Sequence, residues 1–158
     1  MPQALSDESY ARLLQFRTGL RRFERWSEQA ASSAGLTSAQ HQLLLAVRGH
    51  DDPRGPTIGE ISEYLLLRHH SAVELIDRAV AAGLVRRRPD PDDRRVVRVR
   101  ATPHGNAVLR RLTRAHLAEL ARLAPALEAL WAGLEPTTHL PPEQRATPKS
   151  APLVARSV

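Results

Sequence analysis

The apolar residues change their spacing twice along this chain, and the two changes limit what it can fold into. Up to Gly83 they recur every three or four residues, as on one face of a helix. From Leu84 to Arg100 they fall into a short-strand, period-two texture, and from Thr102 the helical spacing returns. The first helical stripe is long: Leu13, Phe16, Leu20, Phe23, Ala30 and Ala34, ended by Gly35. Thr37 with Gln40, and Thr57 with Glu60, are two capping boxes, each opening a further helix. The first of these carries Leu43, Leu44 and Val47; the second carries Ile58, Ile61 and Leu65. Between them His50 to Pro56 reads as a loop. A turn near Leu67-Arg68 leads to a helix with Ala72, Leu75, Ile76 and Ala79 facing inward, closed by Gly83 at C′.

The period-two segment reads as a hairpin. Its strands are Leu84 to Arg88 and Val96 to Arg100, and Pro89 to Asp93 form the tip. Thr102-Pro103 opens a last long helix striped by Leu109, Leu112, Leu117, Leu120 and Leu123. Pro125 is expected to interrupt it, with a shorter continuation through Leu127, Leu130, Trp131 and Leu134. From Pro136 the pattern dissolves: five prolines fall in the last 23 residues, and 136–158 read as a disordered Pro-rich tail. The expected fold is therefore mainly α with a small β-hairpin wing. A winged helix-turn-helix DNA-binding lobe spans 36–101, flanked by helical segments over 6–34 and 103–135.

Composition narrows the chemistry. The 158 residues contain no cysteine, which excludes disulfides, zinc–thiolate sites, thiol redox switching and a cysteine nucleophile. Aromatics make up 4%, too few for a platform on which single-stranded bases stack. The longest apolar run, Ala79 to Val85, cannot span a bilayer, and Met1 to Glu8 resemble no export signal, so a cytoplasmic protein without membrane contact is expected. There is no glycine-rich phosphate loop, no Gly-x-Ser-x-Gly and no isolated carboxylate pair, so no enzyme is expected. The net charge is +6, and 22 of the 23 basic residues are arginine. From Leu84 to Arg100 seven arginines stand against three aspartates. Charge on an exposed hairpin discourages edge pairing. Arginine in particular also matches phosphate bidentately and enters narrow minor grooves.

Three blocks of the hairpin region carry a resemblance: Gly83-Leu84-Val85-Arg86-Arg87, Asp90-Pro91-Asp92-Asp93-Arg94-Arg95, and Ala101-Thr102-Pro103-His104-Gly105. Together they resemble the wing and following helix of the MarR family of transcriptional regulators, over roughly residues 6–135. The resemblance implies a homodimer, a winged-helix lobe in each subunit, a helical dimerisation region formed by 6–34 with 103–135, and a small-molecule pocket between that lobe and the dimerisation helices. It also implies that Asp93 and Arg95 brace the wing, with Asp90 assisting, and that Arg94 reaches the minor groove. The chain departs from the family at Val73-Glu74, where Ser/Thr-Arg is common, and at Asp92, where arginine is common.

On the helix expected to read DNA, the candidate contacts are Arg68, His69, His70, Ser71, Glu74 and Arg78. Arg86, Arg94 and Arg95 join them from the wing. Glu74 can accept from cytosine N4, or it can pair with Arg78 at i, i+4. Phe23, Trp26, His41 and His116 are the candidate pocket residues, and nearby arginines would suit an anionic aromatic ligand. None of the seven histidines has metal-site spacing, so no metal or cofactor is expected, although His41 with His116 could meet in the fold; Asp51-Asp52 read as solvated. The expected function is a homodimeric regulator on a pseudo-palindromic duplex operator, a repressor released by a small-molecule effector. The alternatives are a winged-helix protein-interaction module and a sequence-neutral DNA-architectural protein.

Overall fold

The computed structural model describes residues 6–132. Five helices and one hairpin follow in the order α1 (Asp7–Ser33), α2 (Ser38–Gly49), α3 (Ile58–Leu65), α4 (His69–Ala81), β1 (Val85–Pro89), β2 (Val97–Ala101) and α5 (Pro103–Trp131). The expected Pro-rich tail, 136–158, lies outside the described residues.

Local signals place most of these boundaries. Both capping boxes form: Thr37 and Gln40 exchange side-chain and backbone bonds at α2, and Thr57 and Glu60 do the same at α3. At the end of α4, Gly83 (φ 69°) takes the left-handed conformation. Its amide bonds the Val80 carbonyl while that of Leu84 reaches back to Ala79, the Schellman arrangement. The turn between α3 and α4 uses the same bonds without a glycine. Leu66 adopts φ 53° and is 92% exposed. A β-branch-free but bulky residue there costs roughly 1–2 kcal/mol.

The core of the lobe is one contiguous apolar cluster. Leu43, Leu44 and Val47 of α2 meet Ile61 of α3 and Leu75, Ile76 and Ala79 of α4, and Val85 and Val99 of the hairpin close it. β1 and β2 pair antiparallel with Arg86 opposite Arg100 and Arg88 opposite Arg98. The segment before α3 adds an edge, since Val99 donates to the Pro56 carbonyl and Thr57 bridges to Arg98. α1 and α5 lie antiparallel outside this lobe: Arg12 near the start of α1 bonds the Ala132 carbonyl, and Ser27 near its end reaches His116.

Two sequence expectations change in detail. The strands each begin one residue later than expected, because Leu84 and Val96 complete the flanking turns. The last helix is not interrupted at Pro125 but runs through it. Both Pro125 and Ala121, whose carbonyl loses its partner, are exposed, so water can take that bond.

α5 is held to the lobe at its first turn. The Thr102 hydroxyl accepts from the Gly105 amide and donates to the Gly83 carbonyl at 2.6 Å. Gly105 itself is buried so closely that a Cβ would overlap the Leu84 carbonyl. Gly105→Ala is therefore expected to push α5 off the lobe and cost about 1–3 kcal/mol, read as a lowered thermal midpoint. An unchanged midpoint would show that the close approach is not required.

Candidate nucleic-acid interface and ligand cavity

The wing is organised around one carboxylate. Asp90 is 4% exposed. Its Oδ1 accepts from the amides of Asp92 (2.8 Å) and Asp93 (3.3 Å), which shapes the tip. Its Oδ2 takes the Arg98 Nε and, at 3.4 Å, Arg54 Nη1. Arg98 continues to the Gly55 carbonyl (2.8 Å) and to Asp52 (3.4 Å), and Arg54 ties Asp52 (2.7 Å) and Asp92 (2.8 Å). The hydrogen bond from Arg98 holds the Asp90 carboxyl below its ordinary value, and that from Arg54 does the same for Asp52. Tip and loop 50–56 are thus locked together.

This corrects two expectations. Asp93 and Arg95 do pair, at 3.1 Å, but within the tip turn and with Arg95 91% exposed. The contact that braces the wing against the body is Asp90–Arg98 with Arg54. Asp51 is solvent-exposed as expected, whereas Asp52 is engaged by two arginines. The spacing of Asp90 and Arg98 on opposite arms of the hairpin was the available signal; the reach of Arg54 across 36 residues had none.

The brace leaves other arginines unspent. Val96 donates to the Asp93 carbonyl, so Arg94 and Arg95 occupy the centre of a turn at the very tip. Arg87 is drawn into an ion pair with Asp77 of α4 (2.6 Å), which fixes the wing to that helix. Arg86, Arg88, Arg94 and Arg100 are exposed and make no ion pair or hydrogen bond among the described residues. Arg86 and Arg100 face each other across the ladder, a like-charge placement that costs stability. Arg88 and Arg100 were not singled out in the sequence, because the register that aligns them was not visible there.

On α4, Arg68 stands at the N-cap with no side-chain cap bond. His69, His70, Glu74 and Arg78 are exposed, and Ser71 is half-buried. The expected Glu74–Arg78 pair is absent among the described ion pairs. At a fully hydrated position such a pair is worth only about 0.2–0.5 kcal/mol, and water competes with it. Glu74 therefore stays open on the same exposed face as Arg78.

The four expected pocket residues do come together. Phe23 and Trp26 of α1 pack at 5.9 Å between ring centroids. His116 of α5 lies 4.8 Å from Trp26 and 4.5 Å from His41 of α2. The Leu112 carbonyl can only accept, so Nδ1 of His116 carries a proton toward it (2.8 Å). In the neutral ring Nε2 then accepts from the Ser27 hydroxyl (2.7 Å). Burial, and then the nearby His116, push the His41 pKa down, and its Nε2 is buried without a partner. Phe23, His41 and His116 line a cavity of about 670 Å³ between α1, α2, α3 and α5; Trp26, packed on His116, is not part of its lining. Among the described residues no arginine lines it, so the cations expected to favour an anionic ligand are not there. Nor do three or more potential metal ligands gather anywhere in the described residues.

Residues 34–96 match the model of the MarR family. Members of this family are transcription regulators rather than enzymes. Over 53 residues the chain is 43% identical to the HTH-type transcriptional regulator YsmB of Bacillus subtilis. That match covers 34% of this chain and about a third (36%) of YsmB. A likeness in fold to solved structures extends over most of the described residues. AbsC, a MarR family regulator from Streptomyces coelicolor, superposes with TM-score 0.67 at 21% identity, covering 85% of this chain and 94% of AbsC. A variant of S. aureus MepR solved with an oligodeoxyribonucleotide gives 0.56 at 17% identity, covering 84% and 87%. No helix among the described residues is long and apolar enough to cross a membrane.

The brace has a pH signature. Its carboxyls sit below their ordinary value of about 4, so the stability they contribute is full above that pH. It is lost as pH falls through the lowered values. Amide-exchange protection at Val96 and Asp92 is expected to persist at pH 5 and to fail in stronger acid. Asp90→Asn is expected to weaken that protection at pH 7 and to flatten its acid dependence. Equal protection in the variant at pH 7 would remove Asp90 from the brace.

Proposed function

We propose that this protein is a homodimeric transcriptional regulator that binds a pseudo-palindromic duplex operator in the cytoplasm and is released from it, as a repressor, by a small molecule. The observation that carries the reading is the outer face of the wing. A hairpin that sets Arg86 against Arg100 and leaves Arg88 and Arg94 unpaired pays in self-repulsion, which a polyanion would relieve. The wing is held rigidly to α4, so both would reach one duplex together: α4 in the major groove, with Arg68, His69, His70, Ser71, Glu74 and Arg78 available there, and Arg94 and Arg95 leading the tip toward the minor groove.

Support for the dimer comes from α1 and α5. Tyr10, Leu13, Leu14 and Leu117 are each more than half exposed, which is unusual for so many large apolar side chains on neighbouring helices. A two-fold assembly through them would present two α4 helices to successive major grooves about 34–36 Å apart. The cavity lies between those outer helices and the lobe, so a ligand there would bias the spacing by its differential affinity for the two arrangements.

Site selection from a random duplex library tests the whole reading. The expected product is a two-fold-symmetric site bound at least ~10³-fold tighter than a scrambled duplex. Equal weak binding to both would indicate sequence-neutral architecture, and no binding in moderate salt would indicate a protein-interaction module. On the selected site, Arg86→Ala and Arg94→Ala are each expected to reduce the slope of log affinity against log salt by about 1.8, since the dimer loses one phosphate contact in each subunit; an unaltered slope would place that side chain off the DNA. Leu13→Glu combined with Leu117→Glu is expected to halve the mass seen by light scattering, and an unchanged mass would move the dimer contact elsewhere.

A further inference from the structure

We propose that the cavity between α1, α2, α3 and α5 selects a largely apolar, ring-sized molecule that is uncharged or positively charged, and that it rejects anions. The inference rests on the ligand-release reading above and adds the chemistry of the ligand. At about 670 Å³ the cavity falls in the size range of small-molecule sites. Phe23, Leu45, Leu65, Leu117 and Leu120 give it apolar walls, and Ser27, Thr113 and the His41–His116 pair supply its inner polar patch.

Charge decides the class of ligand. The chain carries 22 arginines, yet none of those described lines this space, and the one carboxylate in the lining, Asp51, stands exposed in the loop that follows α2. An anion entering here would give up hydration with no cation to replace it and would meet the Asp51 charge. An ammonium would gain from Asp51 and from the faces of Phe23 and Tyr64. A neutral hydroxyl would lose little in either respect. His41 adds a preference for a hydrogen-bonding head group over a bare hydrocarbon. Its Nε2 is buried without a partner, so a ligand hydroxyl, able to donate or accept, would complete its bonding after a small turn of the ring.

Three probes of one shape separate the cases: 1-naphthylmethylamine, 1-naphthylmethanol and 1-naphthoate, titrated calorimetrically into the full chain without DNA. The amine and the alcohol are expected to bind, with the carboxylate at least about tenfold weaker than either. Asp51→Asn is expected to weaken the amine about threefold and to leave the alcohol unchanged. Gln42→Trp, at an exposed α2 position on the cavity rim, is expected to abolish both without altering the thermal midpoint. Tighter binding of 1-naphthoate, no binding by any probe to folded protein, or binding indifferent to Gln42→Trp would each overturn the proposal. Repeating the titration on the operator complex keeps the two readings apart. A bound amine that leaves the DNA in place would refute release and leave the ligand class standing. Intact operator binding with no affinity for any probe would do the reverse.

Discussion

The wing depends on a single buried carboxylate doing two things at once. One oxygen of Asp90 collects the amides of the tip, and the other collects the guanidinium groups of Arg98 and Arg54. A carboxylate at 4% exposure is costly to desolvate unless its lone pairs are filled, and here protein donors surround it. The consequence reaches beyond the tip. Because Arg54 comes from the loop between α2 and α3, and Arg87 of β1 pairs with Asp77 of α4, the hairpin is fixed at both ends to the helices that it must accompany. Its remaining arginines are then free to face outward, at positions set by the brace and the ladder rather than by their own contacts.

The same economy of contact governs the other half of the molecule. α5 grips the core of the lobe near its first turns, through Thr102, Gly105 and the buried Val108, Leu109 and Leu112. Beyond Leu112 it leaves the core and runs beside α1. The cavity opens in that divergence, where helices that no longer share a core part around His41 and His116. The apolar side chains left outside, Tyr10, Leu13, Leu14 and Leu117, stay more than half exposed. The cavity and the exposed face thus share a cause, which is why a molecule in one could influence the geometry of the other.

Much of this was legible in the residues. The two capping boxes, the Gly83 stop and the return to helical spacing at Thr102 are local, and each appears in the fold where the sequence placed it. The gathering of Phe23, Trp26, His41 and His116 was legible only through the family resemblance, since no spacing joins α1, α2 and α5. The brace was placed at Asp93–Arg95, with Asp90 assisting, through the family resemblance; the contact to the body runs instead from Asp90 to Arg98, which no local spacing joins. The Glu74–Arg78 pair failed for the opposite reason: helical spacing permits such a contact but supplies too little energy to hold it in water. At Pro125 the local rule also overreached, since an exposed helix can let solvent satisfy the carbonyl that proline orphans.

By itself, the sequence determined the order and type of the elements, the excess of arginine on the hairpin and the absence of thiol chemistry. Period, caps and composition act over a few residues or over the whole chain, and neither requires knowledge of distant neighbours. Only the tertiary structure decided which arginines are spent and which remain, that Arg86 opposes Arg100, and that no arginine among the described residues lines the cavity. Those facts depend on strand register and on packing between segments tens of residues apart, where a shift of one position would exchange an inward side chain for an outward one.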